Sequence, residues 1–232
     1  MKQQQSLALS FRDSLASDIT DGVSELVEVG IDAVLEDGIF QEIPLVSTMI
    51  SLYRIGSSIR DRHNIKKLVS FIDQMRRGCI DEETLQKYRG KIVSDEKKRN
   101  RELEYILILV DRYISYDKPR MLAKLYLAYL DGEIIWEEFS MYAEVIDRFL
   151  LLDCRTLTTE SEKIIVPRNR GGESVLRLVA LGLMTEETDF SAYRQEPDGN
   201  LRVTWGTLMQ PLSPNKTYVR TEFGEKLANI LR

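Results

Sequence analysis

Side chains that could carry out chemistry are few in this sequence of 232 residues. His63 is the single histidine, and the two cysteines, Cys79 and Cys154, lie far apart. Zinc sites that use imidazole and serine–histidine–aspartate triads both need histidine, so the sequence offers almost no residues for either kind of site. The sparse cysteines indicate a reducing compartment and unpaired thiols. We therefore expect no metal, no cofactor and no catalytic residue, and we interpret the chain as a non-enzymatic protein.

The segment Leu127–Phe139 partly matches the calcium-binding loop of an EF-hand. Asp131 and Gly132 fit the second half of that loop, whereas Leu127 and Tyr129 stand where its first oxygen ligands belong. A hard cation would have too few oxygen partners there. We interpret the segment as a connection between two helices.

Helical periodicity dominates the first two thirds of the sequence, where apolar residues recur every three or four positions. The predicted helices cover residues 18–35, 43–62 with a continuation over 65–75, 81–88, 94–114, 117–130 and 136–152. Gly78 and Gly132 are predicted helix ends, and Ser94 is predicted to cap the long helix that follows it. Short turns between these helices predict one bundle over residues 18–153. Residues 1–17 are predicted to form a flexible N-terminus.

The stretch Ile43–Arg62 is predicted to be the central helix of this bundle. Pro44 suits the first helical position, and apolar residues cover more than half of the helix circumference. A membrane span is the alternative for Ile43–Ile59, but that run contains Arg54 and falls short of the about 20 apolar residues that a span needs. We favour a core helix in a cytoplasmic protein. A membrane-active effector, such as a phage-defence protein that exposes this helix, is a third hypothesis.

The pattern changes after Asp153. Residues 155–170 lack helical periodicity and are predicted to form a linker or a short extended arm. The elements predicted beyond them are a helix over Glu173–Met184, strands over Leu201–Trp205 and Tyr218–Arg220, and a last helix capped by Thr221. Residues 154–232 therefore predict a small winged-helix-like module. The fold class is mainly α, a helical bundle followed by a small α+β module.

Charge is separated along the sequence. No basic residue lies between Arg12 and Arg54, whereas residues 54–101 hold 14 basic and 7 acidic residues. Positive charge is concentrated at an Arg-Asp-Arg triplet and at the start of the long helix. The predicted interaction residues are Arg60, Asp61, Arg62, Lys97, Lys98, Arg99 and Arg101. We expect a protein partner or a homodimer, with an acidic stripe of the same chain or of a second copy as one source of neutralising charge.

A DNA-binding regulator is the main alternative, and it would use the C-terminal module. Its candidate contacts are Arg168, Arg170, Arg177, Arg202 and Arg220. However, the helix predicted over Glu173–Met184 offers only Arg177 to a DNA groove. Residues 155–232 hold 11 basic and 10 acidic residues, which leaves little charge for phosphate contacts. Nucleic acid is therefore a possible partner but not the favoured one.

The block EIPLVSTMISLYRIGSSIRDRHNIKKLVSFI, followed by LYLAYLDGEIIWEEF, resembles a group of uncharacterised bacterial helical proteins. In that group a helix that begins at Ile-Pro leads into Ile-Arg-Asp-Arg and then into a basic, apolar helix. The resemblance covers about Ile39–Leu152 and implies a bacterial cytoplasmic setting, without any site residue. The leading hypothesis is a non-catalytic interaction or regulatory protein that docks through helical faces.

Overall fold

The structure is a computed structural model. It describes residues 2–16, 44, 47–48, 59–78, 82–159, 161, 163–167, 172–187, 194–195, 201–202 and 215–232. The chain divides into two compact units, residues 1–148 and residues 149–232. The described part of the first unit is helical, and the second unit combines helices with a small antiparallel sheet. The prediction of a mainly α protein that begins with a helical part is confirmed.

Six helices of the first unit have both ends among the described residues. They are α1 (Lys2–Ala16), α2 (Ile59–Arg77), α3 (Glu82–Val93), α4 (Glu96–Arg112), α5 (Asp117–Asp131) and α6 (Trp136–Arg148). Helix α5 packs against both α2 and α6, and α1 packs against α3 and α4. The core of the unit includes Leu122, Leu125 and Tyr126 of α5, which are fully buried. The helix predicted over residues 18–35 lies outside the described residues.

The apolar segment Ile43–Arg62, predicted to be the central helix, is described at only a few positions. Pro44, Ser47 and Thr48 are helical, and the last four residues of the segment begin α2. None of the helices in the described ranges is long and apolar enough to cross a membrane. The central place of this segment and its membrane alternative both stay predictions.

Within the N-terminal segment 1–17, which is predicted to be flexible, the residues Lys2–Ala16 form the helix α1. Helix α1 buries Ala8 and Phe11 completely and Leu15 almost completely. The ring centroid of Phe11 lies 5.4 Å from that of Phe71 in α2. The three buried residues are spaced three and four apart, which is the spacing of one helix face. This stripe is short, and the polar residues at the start of the segment hide it in the sequence.

Single residues fix several helix ends. Gly132 follows α5 with a φ of +82°, and this left-handed conformation ends the helix as predicted. The cap of α4 is Asp95 and not Ser94, since the Asp95 carboxylate accepts a hydrogen bond from the backbone N–H of Lys98 at 3.3 Å. The Ser94 hydroxyl instead donates to the carbonyl of Lys91 at 2.9 Å.

Polar side chains of α2 hold the C-terminal end of α4. Lys67 is buried, and its Nζ donates to two main-chain carbonyls there at 2.8 and 2.7 Å. The ammonium satisfies carbonyls that a helix end leaves open, and its charge suits the helix dipole. His63 Nε2 donates to the carbonyl of Ile114 at 2.7 Å, so in the neutral ring Nδ1 accepts from the Tyr116 hydroxyl at 2.8 Å. Both nitrogens of the single histidine are therefore engaged in structural contacts.

The second unit contains three helices and five strands among its described residues. They are α7 (Leu151–Thr158), β1 (Lys163–Pro167), α8 (Glu173–Ala180), β2 (Met184–Glu187), β3 (Arg194–Gln195), β4 (Leu201–Arg202), β5 (Asn215–Arg220) and α9 (Glu222–Leu231). Strand β5 lies between β1 and β2 and is antiparallel to both, with Ile165 opposite Thr217 and Glu186 opposite Tyr218. Strands β3 and β4 pair with each other.

The boundary between bundle and module differs from the predicted one. Helix α6 ends at Arg148 and not at Leu152, and Leu151 begins the separate helix α7. Helix α7 belongs to the second unit, since its Asp153 side chain is buried against Arg177 of α8. Because the residues on both sides of the boundary are apolar, the sequence pattern predicts one helix where the structure has two.

Two further elements of this region differ from prediction in extent. The linker predicted over residues 155–170 contains the last turn of α7 and the strand β1. The helix predicted to reach Met184 ends at Ala180, because Gly182 adopts a left-handed φ of +73° and Met184 begins β2. The predicted cap of the last helix is confirmed, since the Thr221 hydroxyl accepts a hydrogen bond from the backbone N–H of Gly224 at 3.0 Å.

Gly224 marks a close approach between α9 and the residue before β2. A Cβ atom at Gly224 would lie 2.7 Å from the carbonyl carbon of Leu183 and nearer still to its oxygen. Since a backbone cannot move aside as a side chain can, we expect Gly224→Ala to destabilise the second unit by about 2 kcal/mol. Gly90 is exposed in α3 with open space around its missing Cβ, so Gly90→Ala should stabilise the chain by roughly 0.5–1 kcal/mol. Urea unfolding of both variants checks this, and equal effects would contradict the close approach.

Candidate functional site

A cleft of about 720 Å³ opens between α4 and α6, and we call it the α4–α6 cleft. Its lining residues are Asp95, Lys97, Lys98, Arg101, Glu102, Tyr105, Trp136 and Ser140. Three of them, Lys97, Lys98 and Arg101, are predicted interaction residues. The structure therefore adds aromatic and acidic neighbours to the predicted basic segment.

Three cations lie on the α4 side of the cleft. Lys98 and Arg101 are three residues apart on the helix and so face the same side. Lys97 and Arg101 are exposed, and neither has an ion-pair partner within the described ranges. The Lys98 side chain is 56% exposed and lies 3.9 Å from Glu102. The neighbouring Tyr129 hydroxyl, followed by Glu102, raises the pKa of Lys98, so this ammonium is charged at neutral pH.

Aromatic rings fix the opposite side of the cleft. Trp136, the first residue of α6, stacks on Phe139 with ring centroids 4.8 Å apart and planes inclined by 18°. Tyr105 and Tyr129 meet Trp136 edge to face, with centroids at 5.8 and 5.4 Å. Such contacts restrain a ring in one orientation. The half-buried Trp136 is therefore presented to the cleft by a rigid cluster.

A buried ion pair lies beneath the cations. Glu102, whose side chain is 5% exposed, accepts hydrogen bonds from Arg99 at 2.6 Å and from the Tyr129 hydroxyl at 2.7 Å. Arg99 is 13% exposed and also donates to the carbonyl of Lys91 at 3.0 Å. The charges of Arg99 and Glu102 compensate each other inside the unit. Arg99, a predicted interaction residue, therefore bonds to groups of its own unit, Glu102 in α4 and the carbonyl of Lys91 in α3.

The other predicted interaction residues, Arg60, Asp61 and Arg62, form the start of α2. Arg60 is exposed and pairs with Asp111 at the C-terminal end of α4, at 3.6 Å. Lys97 and Asp111 are separated by fourteen positions of one helix, which corresponds to about 20 Å. The two groups of predicted interaction residues thus lie at opposite ends of α4 and do not meet in one site.

Two arginines of the DNA-binding alternative, Arg177 and Arg220, have internal partners. Arg177 donates two hydrogen bonds to the carboxylate of Asp153, at 2.8 and 2.7 Å. The buried side chain of Arg220 pairs with Glu225 and donates to the carbonyl of Thr159 at 2.9 Å. Guanidiniums held in this way would have to break these bonds to reach a phosphate. Arg202 lies in β4, and Arg168 and Arg170 lie outside the described residues.

The half-matched calcium loop is a helix connection, as predicted. Asp131 is tied to α3, because its carboxylate accepts hydrogen bonds from Lys87, at 2.8 Å, and from the Tyr88 hydroxyl. No group of three or more histidine, cysteine, aspartate or glutamate residues is placed to hold a metal in the part of the chain that the structure describes. Cys154 is half-buried in α7, and Cys79 lies outside the described residues.

Sequence reasoning missed Tyr105, Trp136 and Ser140 as site residues. The basic segment from Lys97 to Arg101 contains no aromatic residue, and the structure supplies aromatic neighbours from the next turn of α4 and from α6. One signal was available, since Tyr105 follows Arg101 by four residues and shares its helix face. The sequence does not predict that Trp136 lies near these residues, because its position depends on how α6 lies beside α4.

Comparisons of the chain with models of protein families, with curated proteins and with solved structures find no match. The resemblance to bacterial helical proteins therefore stays a prediction. The function of the chain has to come from its own residues, and the α4–α6 cleft combines exposed cations with fixed aromatic rings.

Proposed function

We propose that the chain is a non-catalytic interaction protein that regulates a bacterial partner protein, and that it docks this partner at the α4–α6 cleft. The observation that carries the proposal is the position of the exposed Lys97 and Arg101, which form no ion pair in the described ranges, beside the rigidly held Trp136. Tryptophan, tyrosine and arginine dominate the binding energy of protein interfaces. Rings that are already fixed lose little entropy on binding.

The lining of the cleft supports a macromolecular partner over a small molecule. Pockets for small molecules are mostly apolar and enclose most of their ligand. Five of the eight residues that line this cleft are aspartate, glutamate, lysine or arginine, and Lys98 keeps more than half of its side chain in solvent. Carboxylates on a partner surface can reach these cations directly from solvent. Complementary charge of this kind speeds association and favours the right partner.

Reversing one charge tests the docking site. We expect Arg101→Glu to weaken binding of the partner about tenfold, because it replaces an attractive contact with a repulsive one. The partner is found by co-purification with the tagged full chain and then titrated against each variant. Arg155→Glu is the matched control, since Arg155 is an exposed helical arginine of the second unit without an ion pair in the described ranges.

Three outcomes would contradict the docking proposal. In the first, Arg101→Glu and the wild-type chain retain the same partner with equal affinity. In the second, no protein is retained and the chain sediments as a monomer at all concentrations. A loss of binding that is equal for Arg101→Glu and Arg155→Glu would also contradict it, because a general charge effect would then explain the result.

For the second unit we propose a winged-helix-like module. The strand order β1–β5–β2 in the sheet supports this description. Along the chain, α8 lies between β1 and β2, and α9 follows β5. The short pair β3–β4 lies in the connection between β2 and β5, where a wing would extend. This module gives the second candidate function, a DNA-binding regulator.

The chemistry of α8 speaks against that second candidate. A recognition helix presents basic or amide side chains to the major groove. The exposed residues of α8 are Glu173, Leu176 and Ala180, while Arg177 binds Asp153. Binding to random duplex DNA that weakens steeply with salt would favour the regulator, and no binding at low salt would remove it.

A further inference from the structure

We infer that the α4–α6 cleft binds an extended acidic segment of another protein, in which one aromatic or large aliphatic side chain lies about three residues from a pair of carboxylates. The inference rests on the proposed function and specifies the chemistry of the partner. It follows from the donors of the cleft, from their order along α4 and from the charges at its far end.

The cleft offers hydrogen-bond donors and few open acceptors. Besides its three cations, the indole N–H of Trp136 and the hydroxyl of Tyr105 have no hydrogen-bond partner within the described ranges. Burial raises the pKa of Tyr105, so its hydroxyl keeps its proton and can donate. Of the two acids in the lining, Glu102 is occupied by Arg99, and Asp95 caps α4. A ligand rich in carboxylates complements such a set of donors.

The donors and the rings follow each other along α4. From Lys98 to Tyr105 the helix rises about 10 Å. An extended segment covers that distance in about three residues. Carboxylates bound to the cations therefore place a side chain three residues further on against Tyr105 and Trp136. Ile108, exposed one turn beyond Tyr105, extends this apolar surface.

The far end of the groove between the two helices sets the direction of the ligand. Tyr105 meets Trp136 and Arg112 pairs with Asp147, so α4 and α6 run parallel. At their C-terminal end, Asp147 pairs with Arg112 and the exposed Glu144 lies 3.9 Å from Arg148, so the charges there compensate each other. A segment bound in the opposite direction would bring its carboxylates to these pairs and away from Lys97 and Arg101. Only the first orientation gives the carboxylates cations that have no ion pair in the described ranges, and this difference in affinity selects it.

A single-stranded nucleic acid fits this pattern less well. Its phosphates repeat along the whole strand, so they would meet Asp95, Glu144 and Asp147 as well as the cations. The whole chain also carries a net charge of −5, which disfavours a polyanion. An acidic peptide can carry its charges only where the cations lie.

Fluorescence polarisation with the full chain tests the inference. The probe is a short labelled peptide with a glutamate pair and a phenylalanine three residues later. Two matched peptides replace the glutamates by glutamine or the phenylalanine by alanine, and we expect each to bind about tenfold more weakly. The variants Arg101→Glu and Trp136→Leu should each weaken binding of the first peptide by about the same factor. Arg155→Glu and Met141→Ala, at exposed positions outside the cleft lining, should bind it as the wild type does.

Each outcome decides for or against the acidic segment. Trp136→Leu removes ring contacts, so its fold is checked by circular dichroism, and Lys97→Glu replaces it if it does not fold. Equal binding of the three peptides, or binding that survives Arg101→Glu, overturns the inference. Tighter binding of an oligothymidine strand that depends on Arg101 overturns it in favour of nucleic acid, and dimerisation through the cleft overturns it in favour of a second copy.

The failures of the two proposals can be told apart. If a co-purified partner depends on Arg101 but no acidic peptide binds, docking at the cleft stands and the acidic-segment inference fails. If the peptides bind in the cleft while no partner is found and the chain stays monomeric, the proposed function fails instead.

Discussion

Arg177→Ala should destabilise the second unit by about 3 kcal/mol, because it leaves the buried carboxylate of Asp153 without its cation. The Asp153 side chain is 1% exposed, and its charge is held by two hydrogen bonds from Arg177 and one from the Ser174 hydroxyl. Without Arg177 this carboxylate must either lose its charge or draw water into the unit. Urea unfolding, with hydrogen exchange of peptides from residues 149–232, measures the effect.

Two controls separate the ion pair from the loss of a side chain. Arg155→Ala changes an exposed arginine on the same helix as Asp153 and should change stability by less than about 0.5 kcal/mol. The double variant Asp153→Ala/Arg177→Ala should be more stable than Arg177→Ala alone, because no buried charge is left without a partner. A double variant that is the less stable of the two would contradict this account.

The same pair predicts how the stability of the second unit depends on pH. The hydrogen bond from Arg177, together with that from Ser174, holds the pKa of Asp153 below its ordinary value of 3.8. A lowered pKa means that the contribution of the carboxylate is fully present above the ordinary value and is lost as the pH falls through the lower, folded-state pKa. The difference between the wild-type chain and Arg177→Ala should therefore shrink from neutral pH towards values below 3.8. A constant difference over this range would contradict the prediction.

Glu102→Leu should lower the free energy of unfolding of the first unit by about 3 kcal/mol. The change removes the acceptor of both Arg99 and the Tyr129 hydroxyl and leaves the guanidinium, 13% exposed, without its carboxylate partner. Tyr129 also contacts Trp136, so the loss should reach the cleft. Urea unfolding with hydrogen exchange of peptides from α4 and α5 measures both effects.

Glu104→Leu is the matched control for Glu102→Leu. It replaces the same residue type two positions further along α4, where the glutamate is partly exposed and has no ion pair in the described ranges. Its effect should stay within about 0.5 kcal/mol. Similar losses in both variants would mean that leucine itself disturbs α4, and the role assigned to the buried pair would then be wrong.

Signals that depend on one residue could be read from the sequence. Gly132 ends α5 because only a glycine readily takes its left-handed conformation, and Thr221 caps α9 because its hydroxyl reaches the next turn. The position of the α4 cap was wrong by one residue. Ser94 and Asp95 are both good caps, and only the backbone conformation decides between them.

Contacts between distant segments could not be read in the same way. Counting basic residues treats Arg177 and Arg220 as available, although Asp153 and Glu225 hold them inside the second unit. The cleft could not be predicted from the sequence for the same reason. Lys97 and Arg101 can be recognised as a basic segment, but Trp136 lies beside them only through the packing of the helices. Side chains at helical spacing predict a face, but they do not predict what lies beside it.

The packing of α1 against α4 joins two segments that the ribosome makes at different times. Arg12 pairs with Glu96 at 2.8 Å, and Phe11 lies on the buried side of the same helix. At roughly 5–20 residues per second, the ribosome needs roughly 4–17 s to add the intervening residues. During that time the apolar face of α1 has no α4 to cover it. Helix α1 is therefore a segment of the nascent chain that a chaperone would bind, and the first unit completes its fold only after α4 has left the ribosome.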